Sequence, residues 1–213
     1  MPHQSITTKT RGKTIPWARF YDALINVVTL GKAATLRRRI HEQAPYKDGD
    51  HILDMGCGTG DQALLAAQAL PHATIHGLDA GQAMVKRAQG KTGSKTNLSF
   101  ELGVMEDTRF EDESFDVIMS HLVMHHLPDD LKPAVLAEMF RLSKAGGKLY
   151  IVDLESQPDE KGTPFMIRLH GGRRKMADTI AKLVPLVEAA GFEAIQSGRI
   201  DNQFAYLVAN KPY

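Results

Sequence analysis

The run Asp54-Met55-Gly56-Cys57-Gly58-Thr59-Gly60 is the densest chemical signal in the chain. Glycine at alternate positions permits a sharp turn and lets a ligand lie against bare backbone. Where such a turn opens a helix, the unpaired amides of the first helical turn favour a carboxylate or phosphate. The spacing is G-x-G-x-G, whereas the dinucleotide fingerprint is G-x-G-x-x-G. Its third glycine position is held by Asp61, a carboxylate where a pyrophosphate would lie, so NAD is disfavoured. Asp79 lies 21 positions after Gly58. There an acidic side chain grips a ribose through its hydroxyls or caps the following helix.

A second group is basic. His121, His125 and His126 follow a hydrophobic stretch, and an imidazole suits proton transfer near neutrality. His125 and His126 also fit a packing role in the loop that carries them. His121 and His125 are four apart, a spacing that on one helix could bind a metal. No HExxH or cysteine cluster completes such a site, so no metal is expected. Further on, His170-Gly171-Gly172-Arg173-Arg174 lies in a long polar stretch. Such stretches are often binding loops, and the two arginines suit an anionic substrate group or a solvated helix entry. Catalytic candidates are therefore His121, His125 and His170.

The elements that must position these residues alternate. Strands are predicted at 51–55, 73–78, 98–102, 115–120, 148–154, 193–200 and 204–209. Helices are predicted from Pro16, over 33–42, 61–70, 82–89, 129–142 and 177–190. Gly146-Gly147 is expected to stop the fifth of these helices. Strands alternating with helices predict an α/β fold, a doubly wound, mostly parallel sheet with helices on both faces. The last two strands are joined too tightly for a crossover and must pair antiparallel. Ligands of such sheets sit at the carboxyl ends of the strands.

Composition narrows the classes. The chain has 213 residues, 43% hydrophobic and 24% charged, ordinary for one globular domain. A single cysteine excludes an intrachain disulfide and suits a cytoplasmic setting. No apolar run approaches a membrane span, and the polar N-terminus lacks the apolar core of a secretory signal. Residues 1–47 carry nine Lys/Arg against two Asp/Glu, and residues 48–213 carry 17 against 23. A basic segment before an acidic body suits an anionic substrate, a membrane surface or a solvated helix face. Nucleic acid is not expected as the acceptor, because the body is acidic and no recognition module is visible.

The stretch Ile52–Gly60 resembles motif I of the class I S-adenosylmethionine-dependent methyltransferases, and Gly77-Leu78-Asp79 their acidic second motif. Glu106–Phe110, Glu113–Ile118, His125–Asp129 and Lys144–Leu149 are similar to later signatures of the ubiquinone/menaquinone-biosynthesis-like group. The resemblance covers residues 15–210. It implies a Rossmann-like, seven-stranded fold and an N-terminal helical lid or arm at 1–47 ahead of the methyltransferase body at 48–213. It also implies S-adenosylmethionine as cofactor, with S-adenosylhomocysteine as product. In these terms Asp54 and the backbone of Gly56 and Gly58 hold the methionine part. Asp79, with Ala80 beside it, takes the ribose. Met84, Met105 and Glu106 line the adenine, and Ser120 and His121 reach the methionine end. Tyr21, with Trp17, covers the site. Cys57 is then a small packing residue. One departure is Val104, where the family often has an acidic acceptor for the adenine amino group; Glu106 or a backbone carbonyl must serve instead. The expected reaction is methyl transfer to oxygen, nitrogen or carbon of a small molecule. The alternatives are a lipid or quinone-precursor acceptor at a membrane surface, and a protein that binds the cofactor without turnover.

Overall fold

A computed structural model describes residues 31–155 and 179–213. Strands are β1 (His51–Met55), β2 (Thr74–Asp79), β3 (Leu98–Leu102), β4 (Phe115–His121), β5 (Ser143–Leu154), β6 (Glu193–Arg199) and β7 (Phe204–Asn210). Helices are α1 (Ala33–Gln43), α2 (Asp61–Ala69), α3 (Gln82–Gln89), α4 (Lys132–Leu142) and α5 (Thr179–Ala189), with a 3-10 turn at Met124–His126. The seven strands form one sheet in the order β3-β2-β1-β4-β5-β7-β6. Neighbours are parallel except β7, which runs antiparallel to both β5 and β6. The expected Rossmann-like sheet with one antiparallel strand is therefore present.

Alternation along the central strands decides which helices cover which face. Leu53, Ile118, Leu149 and Ile151 pack with Leu136 and Met139 of α4 and Leu183 of α5. Ile52, Met119, Tyr150 and Val152 point the other way, into a cluster with Ile40 of α1, Ala63 and Ala66 of α2 and Val85 of α3. Chain direction across the sheet reverses between β1 and β4, so a crevice opens beyond their carboxyl ends.

Two boundaries differ from the sequence expectation by more than two residues, the start of the fifth helix and the start of β5. The fifth expected helix starts at Lys132 rather than 129, and Pro133 occupies its first turn, where the missing N–H costs nothing. The glycine pair does not stop that helix. It ends at Leu142, and the Ser143 hydroxyl donates to the Met139 carbonyl at 2.8 Å. Gly146 and Gly147 instead form an irregularity inside β5, between the pairings Phe115–Ser143 and Val117–Lys148. A Cβ on Gly147 would stand 2.8 Å from the Lys144 carbonyl oxygen.

The segment expected as a lid or arm is described only from residue 31. Within it, α1 is fastened to the body. The Tyr150 hydroxyl donates to the Ile40 carbonyl at 3.0 Å, the Gln62 amide donates to the Arg37 carbonyl at 3.3 Å, and Arg37 pairs with Asp61 at 2.6 Å.

Gly77 in β2 makes room for a large neighbour. A Cβ there would lie 2.4 Å from the Phe100 ring and 3.0 Å from the Cys57 sulfur. Gly77→Ala should therefore destabilise the fold by about 1–3 kcal/mol through overpacking. Phe100→Leu in the same background should recover part of that loss. Thermal unfolding of the single and double variants checks this; an unchanged midpoint for Gly77→Ala would contradict the packing.

Candidate functional site

The glycine loop is built onto the end of β2. The amides of Gly56 and Cys57 both donate to the Leu78 carbonyl, at 2.8 and 3.0 Å. The Gly58 amide donates to one Asp79 carboxylate oxygen at 2.8 Å, and the Gly81 amide to the other at 2.7 Å. Asp79 thus holds the loop and the entry to α3 together. Each oxygen retains a second lone pair for a ligand hydroxyl. Gly56 and Gly58 both have positive φ, for different reasons. A Cβ on Gly56 would strike Val123 at 2.6 Å, whereas one on Gly58 would project into open space. The cradle therefore lies on the Gly58 side.

Two carboxylates border this cradle. Asp54, in β1, is buried, and burial followed by the Asp79 charge pushes its carboxyl up to about 8. Burial also raises Asp79, against which the Gly81 and Gly58 amides act. Asp61 follows the loop at the first turn of α2, gripped by Arg37 and Lys91, each at 2.6 Å.

On the β2–β3 side, Met84 and Met105 are buried, as is Val104. Ala80 and Glu106 are half-buried. One carboxylate oxygen of Glu106 is buried with no hydrogen-bond partner among the described residues. Ser120 is fully buried and its hydroxyl donates to the Met55 carbonyl at 2.9 Å, fastening β4 to β1.

His121 closes β4 and lies edge-on to the Tyr150 ring, with centroids 5.5 Å apart. Its Nδ1 is 4.0 Å from an Asp54 oxygen. Neither ring nitrogen has a hydrogen-bond partner among the described residues. Burial, opposed by the Asp153 charge, lowers its pKa to about 3. With Asp54 raised and His121 lowered, the two are not an ion pair at neutral pH. Leu122 then takes a left-handed backbone (φ 59°), unusual for a bulky residue and a local cost of about 1–3 kcal/mol. Its amide donates to the Val152 carbonyl at 2.8 Å, which helps to hold that turn.

The strained turn delivers His125 to the end of β5. His125 Nδ1 is 2.6 Å from one Asp153 oxygen, and its backbone amide donates to the other at 3.0 Å. The Leu154 amide also donates to Asp153, at 2.7 Å. The His126 ring lies 3.9 Å from that of His125. Because His121 ends a strand and His125 sits in a 3-10 turn, they do not share a helix face as the four-residue spacing would require for a paired metal site.

The fold therefore gathers Asp54, Gly56, Gly58, Asp79, His121 and His125 at the carboxyl edge of the sheet. Ala80, Met84, Met105 and Glu106 follow the ends of β2 and β3 beside it. Tyr21, Trp17, His170, Arg173 and Arg174 lie outside the described residues. Two residues escaped the sequence reading. Asp153 was hidden as the final polar residue of an apolar strand, and a lone acid at a strand's carboxyl end is the signal that could have found it. Tyr46, just after α1, is the other. Its hydroxyl bonds the His41 ring, and burial, then the Asp54 charge, raise its pKa against a hydrogen bond with Gln62.

Among known proteins, residues 52–147 match a family model for a methyltransferase domain. The demethylmenaquinone methyltransferase of Symbiobacterium thermophilum is 31% identical over 140 residues, covering 64% of this chain and 55% of that protein. The chain thus spans little more than half the length of the curated relatives it matches. In structure, a phosphoethanolamine N-methyltransferase 2 of Haemonchus contortus, solved with S-adenosyl-L-methionine, superposes with TM-score 0.69 at 16% identity, over 94% of this chain and 61% of that one. The [4+2]-cyclase SpnF superposes with TM-score 0.72 at 19% identity, over 92% and 94%. These two likenesses establish the fold, and the cyclase shows that the fold alone does not name a reaction. The sequence matches and the sheet agree: residues 52–147 are similar to a methyltransferase domain, carried on a Rossmann-like seven-stranded sheet.

Proposed function

We propose that this chain binds S-adenosylmethionine in the Gly58 cradle and transfers its methyl group to a small-molecule acceptor. The observation that carries the proposal is the open face of Gly58 beside an Asp79 carboxylate that already orients the loop. The polar atoms around it fit the ligand. Asp79 retains acceptor capacity for ribose hydroxyls. Asp54 is a buried acid that a cationic amino or sulfonium group would help to ionise. Glu106 offers an acceptor where Val104 has none. Asp61, held by two cations in the first turn of α2, leaves that helix start poorly suited to the pyrophosphate of a dinucleotide. Bound there, the cofactor supplies an electrophilic methyl on a sulfonium.

The protein's part is then positioning and exclusion of water. The loop amides and Asp79 fix the ligand's orientation. On this reading His121, at the end of β4, and His125, in the turn after it, lie on the acceptor side. The demethylmenaquinone methyltransferase relatives favour a second, finer reading, in which the acceptor is a quinone precursor. An acceptor of that kind is lipid-like, and the basic N-terminal stretch would suit a membrane surface. The sequence comparison favours turnover over cofactor binding alone.

Methyl-labelled S-adenosylmethionine incubated with a panel of hydroxyl, amine and carbon acceptors, 1,4-dihydroxynaphthalene among them, tests the reaction. Label should pass to at least one acceptor as S-adenosylhomocysteine appears; label retained throughout would contradict turnover. In calorimetry, Asp79→Ala should weaken cofactor binding by about 1–3 kcal/mol, from lost charge-assisted hydrogen bonds. An unchanged dissociation constant would remove Asp79 from the site.

Asp54 gives a pH signature. Its folded pKa, about 8, lies above its ordinary value of 3.8. Its stabilising contribution is therefore complete below that ordinary value and is lost as pH rises through the folded value. Asp54→Asn removes this loss. Its melting temperature relative to wild type should climb between about pH 5 and about pH 8 in the ligand-free protein. A difference that stays constant across that range would contradict the raised pKa.

A further inference from the structure

The two helical layers of this fold carry opposite charge. On one face of the sheet, Ile40 of α1, Ala66 of α2 and Val85 of α3 belong to a single cluster. On the other, α4 and α5 pack together with Met105 and Phe115. Residues 31–47, which supply α1 and the turn after it, contain five Lys/Arg against one Asp/Glu. Residues 82–97, which supply α3 and the loop after it, contain four against none. Residues 105–142, which supply β4, the loops around it and α4, contain three against nine. The cationic charges stand at the surface. Lys32, Arg38, Arg39 and Lys86 are all exposed, and the Arg38 side chain is 67% exposed although it comes within 3.9 Å of Glu42. In the same layer, α2 bears no charge after Asp61 and leaves Leu64 and Leu65 half-buried. Arg37 of α1 and Lys91, just after α3, both reach Asp61 at 2.6 Å. The cationic layer therefore closes on the first turn of α2, directly after the glycine loop.

We propose that the layer formed by α1, α2 and α3 is a docking face for an anionic phospholipid bilayer. The inference extends the lipid-like acceptor reading above, but it is carried by charge and exposure and not by methyl transfer. Each basic side chain held near a negatively charged membrane adds to the attraction. Half-buried leucines among such charges add apolar contact with the headgroup region. The acidic layer on the opposite face is repelled by the same surface, so the charge separation also sets the orientation of approach. Docked in this way, Asp61 and the glycine loop stand at the margin of the contact. The crevice beyond β1 and β4 then lies beside the phase in which a lipid-like acceptor is held. The acidic layer of a second copy also matches the cationic face in sign. That pairing joins two different faces and leaves one unmatched at each end, so it builds an open chain of molecules and not a closed pair.

Flotation of the full chain with vesicles tests the docking face without turnover. The chain should float with vesicles of phosphatidylcholine mixed with phosphatidylglycerol and stay behind with phosphatidylcholine alone. Raising the salt from low to physiological should weaken the binding by about tenfold or more. Replacing Arg38, Arg39 and Lys86 together (Arg38→Gln, Arg39→Gln, Lys86→Gln) should weaken it by roughly 100-fold, with the thermal midpoint close to that of wild type. Lys132→Gln with Lys182→Gln, on α4 and α5 of the opposite layer, should leave it within about twofold of wild type. No flotation with the anionic vesicles at low salt would overturn the proposal, as would binding that salt does not weaken. Equal loss in the variants of the two layers would overturn it too. So would light scattering that shows salt-sensitive self-association abolished by the triple variant, with no vesicle binding, because the face would then join copies of this chain. The methyltransferase reading is judged separately, by S-adenosylmethionine binding in the absence of vesicles, so either can fail alone.

Discussion

Two neighbouring carboxylates at the ends of adjacent strands, Asp54 buried and Asp79 half-buried, constrain everything at this edge of the sheet. Burial raises the cost of ionising both, and the Asp79 charge raises that of Asp54 further. Only donors can offset that cost. The protein supplies two to Asp79, the amides of Gly58 and Gly81, and in doing so fixes the shape of the glycine loop. It leaves Asp54 strained toward the neutral form. A ligand that brings a cation near Asp54 and hydroxyls near Asp79 relieves both, so the electrostatics of the free protein describe the ligand it is built for.

The other half of the edge uses the same physics with a different result. Asp153 is more deeply buried than Asp79, yet three donors reach it from within the chain. Its partner His125 is brought there by a left-handed turn at Leu122 that a bulky residue adopts only under constraint. Strain in one residue is thereby exchanged for a fixed ring orientation. His121, one residue earlier, is fixed by packing against Tyr150 and is neutral. The contrast separates a histidine placed by apolar packing from one placed by a carboxylate.

Much of this was legible in the sequence, and for identifiable reasons. The strand–loop–helix around Gly56–Gly60 and the acid at Asp79 are local patterns whose roles follow from spacing. The antiparallel end of the sheet followed from the short link at Asp201–Asn202. Gly146-Gly147 misled because glycine pairs that end a helix and those that form an irregularity in a strand look alike, and only pairing with β4 tells them apart. Asp153 and Tyr46 stayed hidden because their meaning depends on partners 28 residues upstream and, through Asp54, across strand β1. Three-dimensional proximity, not pattern, gives them their roles.

The most direct test of the account is the proton balance of binding. Calorimetry with S-adenosylmethionine near pH 7, repeated in buffers of different ionisation enthalpy, measures how many protons the complex takes up or gives off. If a protonated Asp54 ionises against an incoming cation, about one proton per site should be released, and Asp54→Asn should abolish that release. Tight binding with no proton exchanged by the wild type would contradict it.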